Sequence, residues 1–380
     1  MADAEVVDVE AAAVELLVTL VGIDSVNPGL VTGAAGETGM VDHLRARLDA
    51  AGFGTTVVPA AGHDDRPSLV AVAPGPSQWP TVVLNGHLDT VGVAGMTDPL
   101  TPRVEGDRLY GRGAADMKGG LAALVVAAER LVADGAPVRP VLALSADEED
   151  ANLGTEAIVR ALPGLGVRPD VCLIAEPTDL ALSRSLRGFG VARVTFRGRA
   201  AHSSQAELGV NAVTHLGRLL HAIDRRADDV RAAGGDLMVT VARGGDSPFV
   251  VPAHAECLVE LRTTPDQPST AVLAELRGLL SPEWDADVEL VAHRDGWRLD
   301  DDGPAARLAR RLGAALGTGA TFDAPYWMEA PLWQAVCPTV ICGPSGGGIH
   351  AVDEWVDLRQ VRALARSLVT VLSRWSLGAD

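Results

Sequence analysis

The sequence predicts an α/β protein, a mostly parallel-type sheet sandwiched by helices, interrupted by an inserted β-α-β-β-α-β domain. Three observations carry that prediction. Apolar runs of strand length at residues 81–84, 138–144 and 171–175 alternate with helix-length segments at 119–132 and 155–162. The runs are continuously apolar, as in strands buried on both faces, so the sheet they form is largely parallel and covered by helices. From about Arg187 to Ala292 the texture changes to half-exposed alternation, as in VARVTFR at 191–197.

In chain order, the first apolar stretch, AAAVELLVTLVGI, is interrupted by Glu15, and MADAEVVDVE before it is acidic where a secretory signal would be basic. Strand 81–84 runs into NGHLDT (85–90), and YGRGAADMKGG (110–120) opens helix 119–132. Strand 138–144 leads into SADEED (145–150), and strand 171–175 into AEPT (175–178). The inserted region reads as strand 191–197, helix 210–232, strands 236–242 and 256–263, helix 269–280 and strand 287–292. Helix 305–316 and strand 339–342 return to the α/β pattern, and GPSGGGIHAVDE (343–354) follows that last strand. The expected organisation is a discontinuous catalytic domain, 1–186 and 293–380, with a dimerisation or lid domain at 187–292.

A net charge of −18 over 380 residues disfavours nucleic acid and anionic membranes as partners, because both repel an acidic protein. No uninterrupted apolar run approaches the roughly 20 residues that span a bilayer. Cys172, Cys257, Cys337 and Cys342 lie in apolar surroundings without a CxxC pair, which predicts buried thiols and a cytoplasmic protein. Lys118, in DMKGG, is the single lysine of the chain. An exposed lysine would be interchangeable with arginine, so its retention beside Asp116 points to a compact charge in a tight site.

The motifs fall at the carboxyl ends of strands, where ligands gather in such sheets. Together they hold two histidines and several carboxylates, donors suited to a pair of divalent ions and to metal-assisted hydrolysis. Asp89, two residues beyond His87, is placed to accept the second ring N–H of a metal-bound imidazole. Asp116, before a Gly-Gly step, is short enough to bridge two ions or to cap the helix. Glu148 and Glu149 diverge as neighbours, so one can bind metal while the other carries a proton. Glu176, at the end of an apolar strand, is a charge that a cation would compensate. His350 follows a side-chain-poor loop whose Gly346 and Gly347 offer backbone contact to a substrate; the loop lacks GxGxxG and a Walker lysine.

These motifs, with LVGIDSVNPG (20–29) and AAHSS, resemble those of the dinuclear zinc amidohydrolases and peptidases that include acetylornithine deacetylase, succinyl-diaminopimelate desuccinylase, aminoacylase and the glutamate carboxypeptidases. The resemblance implies a zinc-peptidase-like catalytic domain with an inserted dimerisation domain, and two divalent ions, zinc or alternatively cobalt. One would be held by His87, Asp116 and Glu176, the other by Asp116, Glu149 and His350, with Glu148 as general base and Asp89 behind His87. It also implies a homodimer in which His202 reaches the partner's site to stabilise an oxyanion, while Asn211 and Arg262 contact substrate. YWMEAPLW (326–333) resembles the acetylornithine deacetylase branch, with Met328 in place of its threonine. The function so implied is cleavage of the amide of an N-acyl amino acid. The alternatives are a dipeptidase or carboxypeptidase with the same centre, or a catalytically silent binding protein on this scaffold.

Overall fold

Strand Thr81–His87 is buried along its whole length and lies inside a six-stranded sheet. The order is Gly54–Ala60, His63–Val72, Arg139–Ser145, Thr81–His87, Val171–Ile174, Thr339–Ile341. The last four run parallel, as the apolar runs require. The computed structural model describes residues 8–376, so the acidic opening MADAEVV lies outside the described residues.

The hairpin Gly54–Ala60/His63–Val72 extends the sheet antiparallel and was not legible in the sequence. Its second strand begins with the exposed polar run HDD and then buries Arg66, Pro67 and Ser68 before its continuous apolar run starts at Leu69, which masks the strand pattern. Strand Thr81–His87 outruns its expected end because Asn85, Gly86 and His87 pair with Ala143, Leu144 and Ser145. Helix Gly119–Ala133 packs against strands Thr81–His87 and Arg139–Ser145, and helices Val9–Val21 and Leu358–Leu372 pack against it in turn. The core they share is built of Leu, Val and Ala. No helix among the described residues is long and apolar enough to cross a membrane.

The chain divides into two compact units, one of Met1–Ser183, Leu299–Phe322 and Leu332–Asp380, the other of Arg184–Arg298 and Asp323–Pro331. The second contains a four-stranded antiparallel sheet, ordered Asp236–Gly244, His254–Arg262, Phe189–Arg197, Ala286–Arg294, with helices Ala212–Ala232 and Ala271–Leu279 on its apolar face. Alternate residues Ala192, Val194 and Phe196 face that core. Helix Ala212–Ala232 starts two residues later than the pattern suggested because Asn211 is its N-cap, accepting from Thr214 N at 3.0 Å. The unit is wider than 187–292. Segment Asp323–Pro331 joins it through Trp327, whose Nε1 donates to Asp295 O at 3.0 Å and whose ring meets Phe189 edge-on. Contacts across such sequence distances leave no local signature.

A smaller sheet completes the first unit: Gly346–Gly347, Trp355–Asp357, Arg108–Tyr110, Arg103–Glu105. It brings the downstream glycine loop to the segment that precedes Asp116.

Candidate metal centre

Segments remote in sequence converge at the carboxyl ends of the parallel strands. His87 closes strand Thr81–His87, Glu148 and Glu149 follow Arg139–Ser145, and Glu176 follows Val171–Ile174. Asp116 sits in the irregular turn Ala114–Lys118 that opens helix Gly119–Ala133. Gly120 permits this close packing, since a Cβ there would lie 2.3 Å from the carbonyl oxygen of Ala175, the residue before Glu176. His350 comes from the loop between Gly346–Gly347 and Trp355–Asp357, at φ 62°.

Asp116 stands between two imidazoles. Its Oδ1 is 3.0 Å from His87 Nε2 and its Oδ2 is 3.3 Å from His350 Nε2. Glu149 Oε2 lies 3.0 Å from His350 Nε2, and Glu176 Oε1 3.8 Å from His87 Nε2. Donor atoms of His87, Asp116 and Glu149 fall within 4.8 Å of one another, as do those of His87, Glu148 and Glu176. Position alone therefore admits Glu148 as a donor as well as a base.

The electrostatics favour a multivalent cation. Burial by itself would lower the His87 pKa, but hydrogen bonds to Asp116 and Asp89 and the charge of Glu176 raise it well above the histidine range. Hydrogen bonds to Asp116 and Glu149 push His350 up to about 10. Burial raises Glu149, whereas in Asp116 the two imidazoles outweigh burial and hold the carboxyl below its usual range. A cation entering here displaces protons from both imidazoles. Glu149 Oε1 is buried with no hydrogen-bond partner among the described residues, an expensive arrangement that a bound cation relieves. Two imidazoles and four carboxylates therefore fit a pair of borderline-to-hard divalent ions.

Behind these side chains runs a buried polar network. Asp89 stands beside His87, with its backbone oxygen 3.0 Å and its Oδ1 3.6 Å from His87 Nδ1. The Asp89 carboxylate also accepts from Asn27 Nδ2 at 2.7 Å, Glu148 N at 3.1 Å and Glu149 N at 3.2 Å. The contact to the imidazole is thus made by the Asp89 backbone oxygen and not, as the sequence suggests, by its carboxylate, which is drawn instead to the backbone that carries both glutamates. Asn27 donates further to Asp147 Oδ1 at 3.1 Å; Arg66 Nη1 reaches the same oxygen at 2.8 Å and Arg66 Nη2 reaches Glu37 Oε1 at 2.5 Å. Asn27, Glu37, Arg66 and Asp147 are not among the candidates that the sequence offers. Asp147 has the signal of adjacency to Glu148, and Asn27 lies within LVGIDSVNPG, but a buried arginine in HDDRPS has none.

Removing Arg66 leaves two buried carboxylates without their cation. Arg66→Met is expected to destabilise the protein by about 3–5 kcal/mol, the usual cost of breaking a buried pair from one side. Urea unfolding with an unchanged slope checks this. A loss below about 1 kcal/mol would show that the network does not depend on Arg66.

Lys118 is buried, as a compact charge in a tight site should be. Its Nζ donates to Ile23 O at 2.8 Å, and burial pushes its pKa down to about 8. Gly346 pairs with Val356, and a Cβ on it would lie 1.9 Å from Trp355 O; Gly347 packs on the Trp355 indole. Strand pairing thus accounts for both glycines.

His202, Asn211 and Arg262 belong to the second unit. His202 Nδ1 accepts from Ser204 N at 3.2 Å and lies 2.8 Å from Ser204 Oγ, so the ring meets Ser204 through Nδ1. Asn211 Oδ1 is committed to capping its helix. Arg262 Nε pairs with Glu260 Oε1 at 2.5 Å, and its guanidinium lies 5.2 Å above the Phe189 ring. Cys172, Cys257, Cys337 and Cys342 are buried thiols.

A parallel sheet that delivers imidazoles and carboxylates to a single cluster is the framework of a metal-dependent amidohydrolase. Comparison with known proteins narrows the class: residues 83–374 match peptidase family M20/M25/M40, and the chain belongs to that family. It is 30% identical to a succinyl-diaminopimelate desuccinylase of Dinoroseobacter shibae, over 88% of this chain and 93% of the relative. It is 31% identical to an acetylornithine deacetylase of Myxococcus xanthus, over 85% of this chain and 88% of the relative. Among solved structures, a tripeptidase of Staphylococcus aureus superposes with a TM-score of 0.77 at 19% identity, covering 96% of this chain and 99% of its own. An M20 metallo-carboxypeptidase of Sulfolobus solfataricus gives 0.73 at 17% identity, covering 95% and 98%. At such identities the structural likeness speaks for the fold alone.

Proposed function

We propose that the protein hydrolyses the amide of an N-acyl amino acid, releasing a carboxylic acid and a free α-amine. The observation that carries this reading is the Asp116 carboxylate set between His87 and His350, next to a buried Glu149 oxygen that has no hydrogen-bond donor among the described residues. The substrate class is supported by the two relatives near 30% identity, whose names specify removal of a succinyl and an acetyl group from an amino acid.

In this reading His87, Asp116 and Glu176 hold one ion, and Asp116, Glu149 and His350 the other, with zinc or cobalt matching the donor set. Bound there, the ions would supply Lewis acidity to the scissile carbonyl and to the attacking water. Glu148 takes a proton of the attacking water on a carboxylate oxygen as the water oxygen adds to the carbonyl carbon. As the C–N bond breaks, Glu148 returns the proton to the leaving nitrogen. Asp89 keeps His87 in register and holds the Glu148 and Glu149 backbone. Arg262 receives the substrate carboxylate, steadied by Glu260, while Asn211 and the backbone of Gly346 and Gly347 contact the substrate. His202 donates from its imidazole to the developing oxyanion of a partner subunit in a homodimer. Buried thiols support a reducing, cytoplasmic setting.

A panel of N-acetyl, N-succinyl and N-formyl amino acids beside dipeptides, run with added zinc or cobalt, tests the assignment. Hydrolysis of dipeptides alone would turn it to a peptidase, and bound metal with no turnover to a binding protein. Metal analysis of the protein isolated without chelator is expected to find up to two divalent ions per chain. His87→Ala and His350→Ala should each lower that content and abolish activity; unchanged content and activity in both would refute the centre.

A further inference from the structure

We propose that Glu354 is a positioning residue that locks the Asp116 turn to the His350 loop, so that the two ion positions form, and are lost, together. The inference rests on the metal-centre reading and concerns a residue to which that reading gives no role.

The Asp116 turn is held only in part by its own backbone, through Lys118 N to Gly113 O at 2.9 Å and Ala114 N to Gly111 O at 3.2 Å. Asp116 (φ −118°, ψ 95°) and Met117 (φ −128°, ψ 35°) depart from helical geometry, and the amides of Gly113, Ala115 and Asp116 donate to a side chain instead. Glu354, from the far end of the chain and 1% exposed, meets this need. Its Oε1 accepts from Ala115 N at 3.0 Å and Asp116 N at 3.1 Å, and its Oε2 from Gly113 N at 2.9 Å and Arg112 Nη1 at 2.7 Å. One buried carboxylate thus takes four donors, enough to offset the cost of its desolvation.

The same pair reaches the other side of the centre. Arg112 donates from Nη2 to Ala351 O at 3.1 Å, the carbonyl next to His350, and from Nε to Gly92 O at 3.1 Å. Gly111 N donates to Glu354 O at 3.2 Å, and the adjoining strands pair Trp355 with Tyr110. His350 itself is half exposed and lies on a left-handed residue, so its loop needs an outside support. Arg112 and Glu354 supply one, and they join it to the backbone that aims Asp116. Because Asp116 is the carboxylate common to both imidazoles, a fault in this strut is felt at both ion positions.

The metal-stripped wild type and Glu354→Gln should be titrated with Zn²⁺ against a chromophoric chelator, well below the melting temperature of each stripped protein. The glutamine keeps the shape but turns an NH₂ group toward backbone donors. Both Zn²⁺ dissociation constants are expected to rise together by about 10- to 100-fold, the usual effect of losing a group that orients metal ligands. A residue that merely stabilised the fold would lower the melting temperature and leave the constants unchanged, which would overturn the proposal. A rise in one constant only would overturn the coupling. Should Glu354→Gln not fold, Arg112→Lys keeps a cation beside Glu354 while losing the donors to Gly92 and Ala351. It should raise both constants by about 10-fold, and unchanged constants there would refute the strut equally. If the wild type itself takes up fewer than two ions, the metal-centre reading fails instead.

Discussion

Glu148→Gln is expected to retain both divalent ions and to lose turnover by roughly 10² to 10⁴, the usual contribution of a positioned general base. The amide matches the carboxylate in shape but cannot accept the proton that leaves water, nor return it to the leaving nitrogen. Glu149→Gln should behave differently. Its Oε2 faces His350 at 3.0 Å and its Oε1 is buried with no donor among the described residues, so replacing one oxygen by NH₂ puts a donor where a cation belongs. Metal content should fall in Glu149→Gln and hold in Glu148→Gln, measured on proteins purified without chelator. Because Glu148 also groups with His87 and Glu176, equal metal loss in both variants would show that it is a ligand and would overturn the division of labour.

His202→Ala is expected to lower the rate by about 10² to 10³, as loss of an oxyanion donor does. Its ring orientation suits that role: Ser204 meets Nδ1 through its backbone N–H and its hydroxyl, and in that role Nε2 faces the substrate. If the donor acts across a homodimer, two inactive proteins restore each other. In a heterodimer of His202→Ala with Glu148→Gln, one site carries both defects and the other carries neither, and activity should approach half that of a wild-type dimer. Mass spectrometry of differently tagged subunits establishes that exchange has taken place. No recovery after demonstrated exchange would mean that His202 serves its own chain or has no catalytic role.

Much of the fold and of the candidate centre was legible in the sequence, because both depend on local pattern. Continuous apolar runs mark strands buried on two faces, and alternation in VARVTFR marks a strand buried on one. His87, Glu148, Glu149 and Glu176 stand just where apolar runs end, and the end of a parallel strand is where such side chains gather. Tertiary structure decided the rest. The hairpin Gly54–Ala60/His63–Val72 was masked by polar residues, and segment Asp323–Pro331 joined the second unit through contacts of Trp327 that no periodicity records. The Asn27–Asp147–Arg66–Glu37 network and the Glu354 carboxylate are likewise partnerships across long stretches of chain. Sequence pattern specifies which residues are buried and where strands end, since those follow from the chemistry of neighbours along the chain. Which charge compensates which, once water is excluded, is settled only when the folded backbone brings distant donors and acceptors within about 3 Å.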